Sequence, residues 1–507
     1  MTTKKLVCVT TLTFVAVLAI TLPVLAQNEP SHNKAPRYKL IDLGTFGGPV
    51  SYVCFFCGGL NQQKSLVTSG ADTATLDPNY PNINPFFFGS DPYIVHAFRW
   101  EQGLLGDLGV LPGGTSSGGQ AINNHGVVAG YSTTGAIDPA TGWPVVNAAL
   151  WRNGEILNLG TFGGTLSVAW FLNNSGQVVG QALNTIPDPF ADVIGIGGTT
   201  QSHAFLWQDG NLQDLGTLGG PYSEASFMNE HGEAAGSSFT NDIPNDTTGV
   251  PTLDPFLWTN GRMLDLGTLG GTFGVEHAIN NRGQVAGTSN LAGDQTFHPF
   301  LWDRGQMRDL GTFGGSNGEA TWMNDSGEVV GVADFPGDVL HDAFLWKNGV
   351  MTDLGNLGKT SRAHGINSRT QVVGNARMQV GRPHAWLWEK GTIYDLNDLI
   401  PPGSGVLLAD APAINDAGAI NALGLPAGCD DPNACGHAYL LVPCGEGDPG
   451  SCRNELIKDG VDYQHATPTT TRQTTWEISD SPVSPTNQLR NRMQRHGIPE
   501  RTAAPTD

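Results

Sequence analysis

A short aromatic-aliphatic run recurs along the 507 residues of this chain, and it limits the accessible folds more than any other feature. The copies read His96-Ala-Phe-Arg-Trp100, Ala148-Ala-Leu-Trp151, His203-Ala-Phe-Leu-Trp207, Pro255-Phe-Leu-Trp258, His298-Pro-Phe-Leu-Trp302, Ala343-Phe-Leu-Trp346, His384-Ala-Trp-Leu-Trp388 and His437-Ala-Tyr-Leu-Leu441. All but the last are followed by a two-residue turn ending in Gly, such as Asn153-Gly154 or Asp209-Gly210. Such dipeptides favour the type I′ hairpin, where both turn positions need positive φ. The run and its successor are therefore expected to pair antiparallel. That successor ends in Asp-Leu-Gly or a variant, at Asp107, Asn158, Asp214, Asp265, Asp309, Asp353 and Asp395, with an extra copy first at Asp42. An aliphatic-Asn pair follows, with Asn at 61, 123, 173, 229, 280, 324, 367 and 415, then a tight turn and a stretch such as Gln177-Val-Val-Gly180. Each repeat thus reads as four short antiparallel strands.

Equivalent Trp residues lie 42 residues apart at Trp346 and Trp388 and 56 apart at Trp151 and Trp207. That period suits a four-stranded propeller blade and is too long for a solenoid rung. The Ala-Phe-Leu-Trp strand is apolar throughout, whereas a strand with one solvated face alternates. Both faces must be buried, as they are when sheets stack radially. With 68 Gly, 32 Pro and only 14% charged residues, long helices are disfavoured. The chain opens on a lone fourth strand near Lys39-Leu43 and closes on strands one to three, so its two ends should complete one blade. The expected fold is an all-β β-propeller of four-stranded antiparallel blades, closed by the N-terminal strand. Eight blades are expected and seven are the alternative, because Val53-Cys-Phe-Phe-Cys57 and Ser65-Leu-Val-Thr68 replace the usual motif in the first unit.

The recurring His-Ala-Phe-Leu-Trp, Asp-Leu-Gly-Thr-Leu-Gly-Gly and Ile-Asn-x-x-Gly-Gln-Val-Val-Gly elements resemble the HAF-repeat family of bacterial extracellular proteins. The resemblance covers about Tyr38 to Pro443, with departures at Ala148, Pro255, Pro299 and Lys359. It implies export and a repeat fold, and it supplies no catalytic residue.

Lys4-Lys5, the apolar run Leu6-Leu25, and Val24 and Ala26 before Gln27 read as a signal peptide over residues 1–26. Residues 27–37 read as a flexible N-terminus, 38–443 as the repeat domain, and the Thr/Pro/Ser-rich residues 444–507 as a mostly disordered tail. The mature protein is expected outside the cytoplasm, secreted or periplasmic, without a membrane span. Cys54, Cys57, Cys429, Cys435, Cys444 and Cys452 remain after cleavage, an even number that suggests local structural disulfides in an exported protein.

The net charge of −21 repels a phosphate backbone and excludes nucleic acid as a natural partner. His96, His203, His298, His384 and His437 occupy equivalent repeat positions, where Asn147, Asp254 and Asp342 stand elsewhere, so they read as local hydrogen-bonding groups rather than as one metal site. No nucleophile elbow, phosphate loop or zinc motif is present, and no catalytic residue is assigned. Function is expected where the repeats differ. The connections Ser69-Val95, Ser132-Asn147, Gln181-Ser202 and Ser237-Leu253 are long, and all should project from one face. They carry Tyr80, Phe86, Phe87, Phe88, Tyr93, Trp143 and Phe190 as candidate binding residues, among Asp72, Asp77, Asp91, Asp138, Asp188, Asp192, Asp242 and Asp246. Aromatic faces can stack on sugars, and carboxylates can bond hydroxyls or hold calcium, although no regular calcium spacing is present and no cofactor is assigned. The sequence therefore suggests an exported, monomeric, non-catalytic protein that meets a protein or glycan partner on its elaborated face. An extracellular propeller enzyme acting on polysaccharide, with an acid pair near the channel, and a secreted scaffold without a small ligand are the alternatives.

Overall fold

The computed structural model describes residues 35–53, 57–63, 66–88, 91–191 and 196–445. The leader, the C-terminal tail beyond Gly445, Cys54, Cys452 and Asp192 lie outside the described residues. The protein is all-β. Among the described residues its strands form seven sheets; six are four-stranded, and in five of those the strands run in chain order. The seventh runs to eight strands because one parallel pair, Leu253 with Phe273, joins two four-stranded antiparallel runs. In the sheet that holds the last three strands, the fourth place is taken by the first strand of the chain. Tyr38–Asp42 pairs antiparallel with His437–Pro443 from Tyr38 opposite Pro443 to Asp42 opposite Tyr439.

One unit shows why this sequence makes these strands. Gly318–Met323 pairs with Val329–Asp334, which pairs with His341–Lys347, which pairs with Val350–Asp353. The first three strands are almost wholly buried and the last is largely exposed. The third strand carries the aromatic run, and its lack of alternation reflects burial between neighbouring sheets: Phe344 and Trp346 pack with Ala320, Met323, Ala286 and Leu301. The turn before the fourth strand is as the dipeptide predicts, with Asn348 at φ 51° and Gly349 at φ 86°. The repeated Gly of Val-Val-Gly has a packing cause. A Cβ on Gly331 would lie 1.9 Å from the Glu319 carbonyl oxygen and 2.9 Å from the Phe344 ring.

The aliphatic-Asn pairs do two jobs at once. Asn324 Oδ1 accepts from the backbone N–H groups of Ser326 and Glu328 at 3.0 and 3.1 Å, which shapes the turn between first and second strands. Its Nδ2 donates to the carbonyl of Asn367 in the next unit at 3.0 Å. The same donation runs from Asn123 to Asn173, Asn173 to Asn229, Asn229 to Asn280, Asn280 to Asn324 and Asn367 to Asn415. Asn415 then donates to the Asn61 carbonyl at 3.1 Å, and Asn61 donates to Asn124 Oδ1 at 2.9 Å.

The first unit is the irregular one. Its opening strand Gly47–Ser51 makes two register pairs with Val67–Leu76, and the usual first-strand pattern is replaced by an isolated bridge between Leu60 and Val67. Cys429 and Cys435 form a disulfide across the connection into the last strand. Cys57 and Cys444 are also disulfide-bonded, and Cys54 and Cys452, their nearest cysteines in sequence, fall outside the described residues. No described helix is long and apolar enough to cross a membrane.

Candidate functional site

The repeated histidines do not converge. Each bonds across its hairpin to the Asp-Leu-Gly carboxylate of the same sheet, with Nδ1 to carboxylate distances of 2.9 Å for His96 and Asp107, 2.8 Å for His203 and Asp214, 2.9 Å for His298 and Asp309, and 2.6 Å for His384 and Asp395. His437 makes the same bond to Asp42 at 3.0 Å, across the pairing of last and first strands. Burial pushes the carboxyls of Asp107, Asp214 and Asp309 up. The His bond and a Gly backbone N–H outweigh it and hold each below the ordinary carboxylate range. Among the described residues no group of three or more His, Cys, Asp or Glu side chains is placed to hold a metal ion.

One unit breaks this pattern in an informative way. Asp254 stands where His stands elsewhere, so it faces Asp265, and burial followed by the charge of Asp265 pushes its carboxyl up to about 7. A folded-state value above the ordinary 3.8 means that folding favours the protonated form. Stability is therefore lost as pH rises from about 4 through 7. Asp254→Asn should remove that penalty. The variant is expected to be about 1–2 kcal/mol more stable than the parent at pH 8 and equal to it at pH 4, as measured by chemical denaturation at both pH values. An equal difference at both pH values would refute the assignment.

The long connections leave the sheets at the end from which the Thr-Leu-Gly-Gly connections also leave, and the two kinds touch. Asp77 accepts from Thr115 Oγ1 and Ser116 Oγ at 3.1 and 3.0 Å, and Asp138 accepts from Thr165 Oγ1 at 2.7 Å. Asp77, Asp138 and Asp188 each also accept from a backbone N–H two residues on, at Asn79, Ala140 and Phe190, so these carboxylates shape turns. Asp72 is fully buried and shares the Tyr52 hydroxyl with Asp91. Burial, then the charge of Asp91, raises its carboxyl to about 9.

The candidate aromatics differ in placement. Phe86 and Phe87 are buried: Phe87 lies 4.6 Å from the Tyr131 ring and Phe86 6.0 Å from Trp170. Phe88 is half-buried against the same cluster, which includes Val146, Leu166 and Leu183. The first long loop is thus folded over the inner strands of the two units after its own. Half-buried Phe190 leans the same way, 6.0 Å from Phe239 of the next unit, and half-buried Trp143 lies against Gly197. Tyr93 is half-buried opposite Leu76, and Tyr80 is 44% exposed. Sequence reasoning missed the exposed aliphatic side chains of these and the later connections. Leu76, Ile137, Ile186, Ile243, Val339 and Val380 are all about half exposed or more, each on the second-to-third connection of a different unit. The signal was present, since Leu76 and Ile137 directly precede Asp-Pro and Ile186 and Ile243 precede Pro.

Sequence reasoning also missed the polar groups on the first strands. Arg362 pairs with Glu319 of the preceding unit, both almost wholly buried. Asp410 accepts from Asn375 Nδ2 at 2.8 Å and lies 3.4 Å from His364 Nε2, and Ser237 donates to Glu276. At the turn end of these strands opens a cavity of about 100 Å³, lined by Phe171, Trp322, His364, Asn123, Asn174 and Glu230 among others. Phe227 stands behind its aromatic wall, 6.0 Å from Phe171 and 5.7 Å from Trp322.

No protein-family model and no curated protein sequence matches the chain. Solved structures similar to it include the β-propeller domain of the Trilobed protease from Pyrococcus furiosus, at 8% identity and a TM-score of 0.41, covering 70% of this chain and 99% of that one. TolB from Acinetobacter baumannii matches at 12% identity and a TM-score of 0.30, over 60% of this chain and 77% of its own. The acylaminoacyl peptidase of Pyrococcus horikoshii matches at 11% identity and a TM-score of 0.38, over 74% of this chain and 58% of its own.

Proposed function

We propose that this is an exported, eight-bladed β-propeller of the HAF-repeat kind, closed by its N-terminal strand, that acts as a non-catalytic binding protein through the face bearing the long connections. The eight-blade reading is supported by the two four-stranded runs within the largest sheet, by the pairing of first and last strands, and by the asparagine bonds that lead from unit to unit back to Asn61. The observation that carries the function is the set of exposed aliphatic residues on that face, Leu76, Ile137, Ile186 and Ile243 foremost. Water is a poor solvent for such side chains, and an exposed aliphatic at the same connection of successive units suits contact with an apolar partner surface. Apolar tips beside few exposed aromatic rings favour a protein partner over a sugar. Among the described residues Glu230 is the only carboxylate lining the inner cavity, which favours binding over acid-base hydrolysis. The polysaccharide-enzyme reading draws on Asp72 and Asp91, yet Asp72 has no exposed surface.

The test compares the chain from Gln27 to Asp507 with an Ile137→Asp/Ile186→Asp/Ile243→Asp variant, on a glycan array and on bacterial envelope fractions before and after protease treatment. Saturable envelope binding, lost on proteolysis and weakened about tenfold or more in the variant, is the expected result. Binding to the array that depends on Tyr80 would move the reading to glycans. Envelope binding that the three substitutions leave unchanged would overturn it.

A further inference from the structure

The cavity at the turn end of the first strands lies at the opposite end of the sheets from the long connections, and it has a chemistry of its own. We propose that it binds a compact organic ammonium group, independently of any partner on the other face. Its aromatic wall comes from Phe171 and Trp322, both half-buried, with Phe227 packed edge-on behind Trp322 at an interplanar angle of 80°. The quadrupole of an aromatic face attracts a cation, most strongly at Trp. On the lip stands Glu230, and among the described residues it and His364 are the only titratable side chains lining the space, apart from the disulfide-bonded Cys57. Glu230 is held in place by Asn174, whose Nδ2 and backbone N–H donate to its two oxygens at 2.8 and 3.0 Å. Each carboxylate oxygen keeps a second lone pair for a ligand.

The remaining lining argues against a sugar. A saccharide needs free donors and acceptors, and the amides of Asn61, Asn123 and Asn174 are engaged within the protein. Asn123 Nδ2 donates to the Asn173 carbonyl, Asn61 Nδ2 to Asn124 Oδ1, and Asn174 Oδ1 accepts from the Asn124 N–H. A trimethylammonium or alkylammonium head needs no hydrogen-bond donors, fits a small aromatic-walled space, and is attracted by one fixed carboxylate. Such a head could belong to a free small molecule or to a modified lysine of a polypeptide, and the chemistry is shared.

The test is isothermal titration of the Gln27–Asp507 protein with choline, with its neutral carbon isostere 3,3-dimethylbutan-1-ol, with a trimethyl-lysine peptide and with glucose. Saturable binding of choline or the peptide is expected, about tenfold tighter than the isostere, and whichever of the two binds more tightly names the source. Glu230→Gln, at an exposed position, should weaken the cation about fivefold and leave the isostere unchanged. Trp322→Leu should weaken it about tenfold, with the melting curve checked alongside. Equal affinity for choline and the isostere, glucose binding in place of the cations, or no saturable binding by either cation would overturn the proposal.

Discussion

Asn324→Leu should lower the melting midpoint by about 4–6 °C. The side chain is buried and makes four bonds: two accepted by Oδ1 within its own turn, and two donated by Nδ2, to the Asn367 carbonyl and to Glu328 at 2.7 Å. Leu fills the space and satisfies none of them. The buried Glu328 N–H loses its acceptor, the Asn367 carbonyl keeps only the Thr370 N–H at 3.1 Å, and the exposed Ser326 N–H turns to water, which together cost about 3–5 kcal/mol. Asn324→Asp keeps the acceptor but sets a carboxylate oxygen against the Glu328 carboxylate and the Asn367 carbonyl. It should destabilise at least as much as Leu at pH 7, and less at pH 4, where one of the two carboxyls can hold a proton. Calorimetry on both variants decides the matter. A Leu variant that melts within about 2 °C of the parent would mean that the asparagine bonds between units contribute little.

The second large effect concerns the buried pair of Glu319 and Arg362. Arg362→Met takes the guanidinium away from a carboxylate with almost no contact with water, and about 3–5 kcal/mol of stability should go with it. Glu319→Leu combined with Arg362→Met should restore most of that loss, since neither charge then remains to be desolvated. Denaturant unfolding of the two single variants and the double gives the coupling directly. A double variant as unstable as the sum of its parts would show that the two side chains act separately.

Much of the architecture is legible because the repeat writes its turns in residues with strict backbone demands. Asn348-Gly349 and its counterparts announce a hairpin through positive φ at both positions, and the apolar third strand announces burial on both faces. The asparagines are legible as turn residues. That each amide also reaches the next unit is not, because a separation of some fifty residues in sequence says nothing about distance in space. The histidines illustrate a reading that local chemistry makes safe: a group bonded to its own hairpin needs no knowledge of the other sheets. The aromatic loops illustrate the reverse. Whether Phe86 or Phe190 offers its ring to solvent depends on which neighbouring unit lies beneath it, and that is set by the stacking of whole sheets. Glu319, Arg362 and Asp410 escape for a related reason. They sit where other repeats carry Gly or Val, so no motif marks them, and their meaning comes from the adjacent strand.

The pairing of the first strand with the last gives the domain a defined mechanical weakness. Tyr38 sits opposite Pro443, and the backbone N–H of Cys444 donates to the Arg37 carbonyl at 2.8 Å, so both chain ends leave from the same end of the pair. Tension applied between those ends loads the ladder one rung at a time from Tyr38 towards Asp42, as a zip opens, instead of loading all its hydrogen bonds together in shear. The Cys429–Cys435 bridge closes a loop within the neighbouring connection and does not span this ladder. A pull on both tails should therefore strip one five-residue strand at low force, with the remaining sheets still folded, and the strand can re-pair when the load is released.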